Sequence, residues 1–191
     1  MNALRSQIRK QRRQVSIFQQ RQSEQDCLNQ LCHFHHFQHA KKIGIYLNAF
    51  GEIYTNKIIE YAFSKGKEVY LPKVISTRQA LVWVKISQHQ YRSKRFANHV
   101  LGMQEPRKSR GFHVSKLDLL IMPLLACDFL GTRIGMGGGF YDKTLASAPY
   151  KPFRLGLAHD FQFLNIQLDR QVWDQPLNAL LTPRKLHRFK P

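Results

Sequence analysis

Apolar residues fall along this chain in short runs separated by amphipathic stretches. Leu4, Ile8 and Val15 lie near helical spacing in a basic opening segment. Ser16, with Gln19 three residues on, has the form of a capping box for a second helix carrying Cys27, Leu28, Leu31 and Phe34. KIGIYL (42–47) is a continuous apolar run of strand length. Thr55 opens a helix over TNKIIEYAFSKG whose stop signal is Gly66. Strands are predicted at KEVYLPKV (67–74) and ALVWVKI (80–86), and a polar, basic region then runs from Ser87 to Lys116. LDLLIMP (117–123) is the most apolar run and predicts a central strand buried on both faces. A helix beginning near Phe140 and strands at 153–159 and 178–182 complete the pattern. Strands alternating with helices predict an α/β fold with a mainly parallel sheet covered on both faces.

The chain has 191 residues, 43% of them hydrophobic, which is enough for a sizeable core and favours one domain spanning 1–191. No stretch approaches the roughly 18 apolar residues of a membrane span. The opening MNALRSQIRKQRRQVS lacks the apolar centre of a secretory signal, so a cytoplasmic protein is expected. Cys27, Cys32 and Cys127 form no CxxC and suggest neither a disulfide framework nor a zinc site. Thirty Lys and Arg against 12 Asp and Glu give a net charge of +18. Such an excess attracts polyanions, nucleic acid and anionic small substrates alike. Being spread from Arg5 to Lys190, it does not choose among them.

The stretch GTRIGMGGGFYDKTL (131–145) narrows the choice. In α/β proteins the loop beyond the carboxyl end of a central strand is where ligands bind. The spelling lacks the GK[ST] of a Walker loop, and it follows the central strand too distantly for the tight dinucleotide turn. Glycines also serve turns that need no ligand. Here, though, Arg133 supplies a fixed cation, Gly135, Gly137, Gly138 and Gly139 offer amides to phosphate oxygens, and Asp142 is a carboxylate suited to Mg²⁺. Together they predict a nucleotide-phosphate site.

RIGMGGGFYD resembles the signature of the 5-formyltetrahydrofolate cyclo-ligase (methenyltetrahydrofolate synthetase) family, R-[LI]-G-x-G-x-G-[FY]-Y-D. YLNAFGEIYTNKII (46–59), YLPKV (70–74), GMQEP (102–106), DLLIMPLLACDFLGTRIG (118–135) and WDQPLNALLT (173–182) match further family blocks in order, so the resemblance covers nearly the whole chain. It implies a three-layer α/β/α sandwich. It also implies an ATP- and Mg²⁺-dependent enzyme that phosphorylates the formyl oxygen of 5-formyltetrahydrofolate. N10 then closes the ring to 5,10-methenyltetrahydrofolate, releasing ADP and phosphate. Carried over by position, Arg133, Ile134, Gly135, Met136, Gly137, Gly138, Gly139, Phe140 and Tyr141 would wrap the ATP phosphates, and Met136 to Phe140 would also face the folate. Arg133 and Asp142 would act in catalysis, Asp142 and Asp174 would hold Mg²⁺, and Leu47 and Glu52 would line the folate pocket. Read without the family, Leu47 ends a buried strand, Asp174 is a turn residue before Pro176, and Glu52 is a solvated loop acid.

Two positions depart from the family pattern. Of its N-terminal basic pair the second member is Arg5, but the first falls on Met1, leaving Arg9, one turn beyond Arg5, as a replacement in the ATP-binding set. Leu101 stands where the family often has an aromatic, leaving Tyr70 as an alternative stacking residue. The histidines of HFHHFQH (33–39) read as an amphipathic helix whose Phe34 and Phe37 pack inward rather than as metal ligands, and His159 is assigned no role. YRSKRF (91–96) is basic, yet no RNA-binding signature accompanies it, so nucleic acid is not the expected partner. The expected partners are ATP and reduced folate, including polyglutamylated forms drawn by the basic surface between Tyr91 and Arg110, on a monomeric protein. A phosphosugar isomerase or acyl-transfer enzyme on a similar scaffold would need a catalytic acid of its own, for which no motif is present.

Overall fold

The computed structural model describes residues 2–189 apart from 76, 78, 100, 101, 108 and 109; Met1 and Leu101 therefore lie outside the described residues. In chain order the helices are α1 (Asn2–Gln14), α2 (Ile17–Cys32), α3 (His35–His39), α4 (Asn56–Ser64), α5 (Gln88–Arg92) and α6 (Phe140–Ala146). The strands are β1 (Lys42–Gly44), β2 (Glu68–Ile75), β3 (Ala80–Ile86), β4 (Phe96–Asn98), β5 (Gln104–Pro106) and β6 (Leu119–Pro123). They continue with β7 (Ala126–Asp128), β8 (Arg133–Ile134), β9 (Phe153–Leu157), β10 (Phe163–Leu164), β11 (Ala179–Leu181) and β12 (Leu186–Arg188).

Seven strands form the main sheet in the order β12-β11-β9-β6-β1-β2-β3. The inner pairings are parallel and the two outer ones, β2 with β3 and β11 with β12, antiparallel. The sheet is thus mainly parallel, as expected. Central β6 carries apolar residues to both faces. Leu119 and Ile121 join the cluster under α2, α3 and α4, while Leu120 and Met122 join the one containing Leu145 of α6, Trp83 and Leu117. Burying each such side chain contributes about 1.5–3 kcal/mol, which is why a run without polar alternation is central here. α1 lies off the main sheet. Its Ile8 packs with Leu125, Ala126 and Ile134, against a small sheet ordered β10-β7-β8.

The helix-opening signal at Ser16 is a formed capping box on α2, and Gly66 follows α4 at φ +68°. Thr55 precedes α4 without capping it; its hydroxyl donates to the Tyr46 carbonyl instead. Val15 lies beyond α1, Phe34 beyond α2, and the strand predicted at 42–47 pairs regularly only to Gly44 before turning towards the ligand side. The polar 87–116 region contains α5 and the β4–β5 hairpin, elements too short and too polar to show a period. β7, β8, β10 and edge strand β12 escaped the pattern because two or three residues cannot show a period.

From β1 the chain moves to β2 on one side and later returns to β6 on the other. The loops leaving these two strands therefore diverge, and an open α/β sheet binds ligands in the crevice at such a point.

Candidate active site

A cleft of about 700 Å³ opens there. Tyr46, Leu47, Phe50 and Glu52 line it from the loop after β1, Pro123 and Leu124 from the end of β6, and the whole of 133–142 from the glycine stretch. Arg5 reaches in from α1, and Trp173 and Asp174 from the loop before β11.

The glycine stretch is shaped by the β7–β8 hairpin. Buried Asp128 organises its turn: Oδ1 accepts from the backbone N–H of Leu130 and Thr132 at 2.9 and 2.7 Å, and Oδ2 from that of Leu168 at 3.0 Å. Arg133 then emerges on β8, and Gly137 and Gly139 take φ +110° and +64°. A Cβ at either glycine would meet nothing within 4 Å, so the backbone conformation, not crowding, calls for glycine. Arg133 Nη2 donates to Asp142 Oδ1 at 2.6 Å, and the backbone N–H of Gln175 reaches the same oxygen at 3.1 Å.

Three arginines converge on this end. Arg5, Arg9 and Arg133 each bury an Nε–H that meets no acceptor among the described residues. A buried charged donor left unsatisfied costs about 1–3 kcal/mol or more, so at Arg5 and Arg133, which line the cleft, an anion is the natural complement. Arg9, expected in the phosphate set, is not part of the cleft wall; its Nη2 donates to the Met136 carbonyl at 3.1 Å and steadies the glycine loop.

Glu52, also on the cleft wall, is not a solvated acid: its side chain is only 10% exposed. Its Oε2 accepts from the Ala49 N–H at 3.0 Å, and its Oε1 lies 3.8 Å from Arg12 Nη2. Burial pushes its pKa up to about 7, against the opposing pull of the Arg12 cation.

A model of the 5-formyltetrahydrofolate cyclo-ligase family matches residues 1–183. The chain belongs to that family. It is 36% identical over 182 residues to the 5-formyltetrahydrofolate cyclo-ligase of Escherichia coli strain K12, covering 94% of this chain and 98% of the relative. To the Haemophilus influenzae enzyme of the same name it is 33% identical over 188 residues, covering 93% and 95%. Among solved structures it is similar to Aquifex aeolicus 5,10-methenyltetrahydrofolate synthetase, with TM-score 0.83 and 25% identity over 100% of this chain and 93% of that one. The Mycoplasma pneumoniae synthetase shares the fold, with TM-score 0.73 and 21% identity over 95% and 98%. Family membership makes this chain an enzyme, as the glycine block implied. Among the described residues no helix is long and apolar enough to cross a membrane.

Against this family background, most of the expected site residues share one cleft: Arg5, Leu47, Glu52, Arg133 to Asp142, and Asp174. Asp174 also has the turn role that its neighbourhood suggested, with Oδ2 accepting from the Gln171 N–H at 2.8 Å. Tyr70 does not provide the alternative aromatic face. It is buried in the core edge-on to Phe112, and its hydroxyl donates to Glu68 at 2.6 Å. The aromatic rings exposed at the cleft are Phe50 and Trp173. Of the histidines, His33 and His39 bond backbone carbonyls and His36 stacks on Phe153, while Phe34 and Phe37 are buried. His159, given no role from sequence, is buried with Nε2 3.2 Å from the Gly51 carbonyl, a support for the loop bearing Glu52. Buried Arg12 was likewise missed, because on paper it is one of several basic residues in α1.

Proposed function

We propose that this chain converts 5-formyltetrahydrofolate to 5,10-methenyltetrahydrofolate with consumption of ATP and release of ADP and phosphate. The observation that carries the nucleotide half is a glycine loop lining the cleft beside two arginines, Arg5 and Arg133, whose buried Nε–H groups meet no acceptor among the described residues. The folate half is supported by the family and by an acid of low exposure, Glu52, on the wall of the same cleft.

An amide oxygen cannot leave as oxide. Attack of the formyl oxygen on the γ-phosphorus expels ADP, after which N10 attacks the formyl carbon, loses its proton, and phosphate departs. The chain must hold the oxygen in line with the phosphorus and balance charge on the transferring group. Arg5 and Arg133 supply fixed positive charge and the amides of 135–139 donors, while Glu52 accepts from the pterin's N–H edge. No protein nucleophile is needed, and the buried Cys27 and Cys127 thiols, their pKa raised by burial, are unsuited to be one.

Mg²⁺ fits the donor set. Among the described residues no group of three or more His, Cys, Asp or Glu is arranged to hold a metal, but of the carboxylates that line the cleft Asp142 belongs to the glycine stretch and Asp174 to the loop whose Gln175 amide binds Asp142. Mg²⁺ takes one or two protein carboxylates together with substrate phosphates, and when bound it neutralises phosphate charge. The whole chain acts as one domain, a cytoplasmic monomer, with the basic surface steering polyglutamylated folates by long-range attraction.

The test is the absorbance of methenyltetrahydrofolate formed by purified protein with MgATP and 5-formyltetrahydrofolate. Well-folded protein that makes no product refutes the proposal.

A further inference from the structure

α1 presents Arg5, Arg9 and Arg12 at intervals of four and three residues, hence on one face. Arg5 lines the cleft and Arg9 holds the glycine loop at the Met136 carbonyl. Arg12 is buried and reaches the opposite half. Its Nε and Nη2 donate to the Phe50 carbonyl at 3.0 and 2.6 Å, and its Nη1 donates to the Leu124 carbonyl at 3.3 Å. It thereby ties together the loops leaving β1 and β6, the two strands that frame the crevice. The same guanidinium faces Glu52 at 3.8 Å.

The loop so held does not rest in a relaxed shape. Phe50 and Gly51 take φ +51° and +75°, a left-handed pair that the surroundings must impose. Gln20 Nε2 donates to the Gly51 carbonyl at 3.0 Å and His159 Nε2 lies 3.2 Å from it, so the second carbonyl of the pair is also secured. A Cβ on Gly51 would come within 2.5 Å of the Arg12 carbonyl oxygen, which shows how closely loop and helix approach.

We infer that Arg12 is the positioning residue of the folate half-site: it fixes the 48–52 loop, and with it Glu52, against the same helix whose other arginines serve the phosphate end. The inference rests on the folate reading of the cleft given above. The charged and titratable groups around Glu52 are Arg12 from α1, Tyr46 beyond β1 and Tyr141 from α6, while Arg9 and His159 act electrostatically on Arg12. Arg12 thus has two separable effects. Its fork of donors sets the loop's position, and its charge favours ionised Glu52.

Binding of 5-formyltetrahydrofolate and of MgATP is measured separately by calorimetry on the full chain, for the parent, Arg12→Lys, Arg12→Met and Gly51→Ala. Lys keeps the charge but not the planar fork, so its folate affinity should fall about tenfold with MgATP affinity unchanged and the pH profile kept. Met removes both. Its folate affinity should fall at least as far, and the loss of binding on acidification should begin at higher pH. Gly51→Ala presses the loop off α1 while leaving Arg12 intact, and should reproduce the selective folate loss even if Arg12→Met fails to fold. Folate affinities equal to the parent's, or folate and MgATP weakened alike in the folded variants, would overturn the inference alone. A parent protein that binds MgATP but no folate would overturn the reading of the cleft and this inference with it.

Discussion

Arg133 Nη2 and Asp142 Oδ1 lie 2.6 Å apart, with their side chains 3% and 19% exposed, so the glycine stretch is closed on itself by a nearly buried ion pair. The same pair holds the residues proposed for phosphate and metal. Asp142→Asn keeps an oxygen for Arg133 and for the Gln175 amide, so the loop should stay formed while the carboxylate charge is lost. Turnover is expected to fall by about 10²-fold or more, with the circular dichroism spectrum unchanged. Asp174→Asn should lose less than about tenfold, because that side chain is committed to a turn and water can replace a peripheral ligand. Steady-state rates across a Mg²⁺ titration check both, and near-parent turnover of Asp142→Asn at low Mg²⁺ would refute the assignment.

Glu52 makes a second prediction through its pKa. Folding raises it from 4.5 to about 7, so between those values the folded state binds more protons than the unfolded one. The stability associated with protonated Glu52 is complete below pH 4.5 and is lost as pH rises through 7. Above that, ionised Glu52 costs up to about 3 kcal/mol, its desolvation outweighing the attraction of Arg12. Glu52→Gln should therefore be more stable than the parent at pH 8 and nearly equal to it at pH 5, while binding folate poorly. Urea denaturation at the two pH values tests this. A difference that does not grow with pH would show that Glu52 is not strained by burial.

The glycines of the loop are expected to respond according to conformation. Gly139 takes φ +64° with open space around it, a conformation that Asn tolerates better than other residues with side chains and that a β-branched residue does not. Gly139→Asn should retain most of the kcat/KM for ATP and Gly139→Val little of it. Gly138 differs, since a Cβ there would lie 2.7 Å from the Phe140 ring and shift the ring rather than the backbone. Equal activity of the Asn and Val variants at 139 would mean that the left-handed conformation is dispensable.

The sequence made legible what depends on long periods and on close glycine spelling. β6 and β9 were predicted within two residues because buried parallel strands require continuous apolar runs, and β2 and β3, an antiparallel pair at the sheet's edge, within one because both are long and rich in β-branched and aromatic residues. α2 was read from a capping box that is formed in the structure and α4 from its stop at Gly66, although Thr55 at its start makes no cap. The glycine block led to the cleft and to most of its polar residues. What stayed hidden depends on burial. Arg12 and Arg13 are adjacent and chemically alike, yet Arg12 is buried and bonded to carbonyls from distant loops while Arg13 is exposed. Glu52 looked like a solvated acid because nothing local to it encloses it; α1 does, from forty residues away. His159 is read the same way, since only the fold brings it to Gly51.

The two tryptophans offer a direct test of which ligand occupies which end. Trp83 is fully buried, whereas Trp173 is 63% exposed on the cleft wall, so a soluble quencher such as acrylamide reports on Trp173 almost alone. Trp173 precedes Asp174 on the loop whose Gln175 amide binds Asp142, which ties its loop to the carboxylate proposed for the metal. A ligand in such a cleft covers most of its own surface and much of the wall it meets, and an exposed indole is a natural stacking face. MgATP alone should then lower the quenching constant to about half or less, with a shift of emission to shorter wavelength. 5-Formyltetrahydrofolate alone should do much less, and Trp173→Phe should abolish the response while leaving the residual emission of Trp83. If the folate protects Trp173 and MgATP does not, the two ends of the cleft have been assigned the wrong way round. If neither protects it at concentrations that saturate turnover, Trp173 is a surface ring with no part in binding.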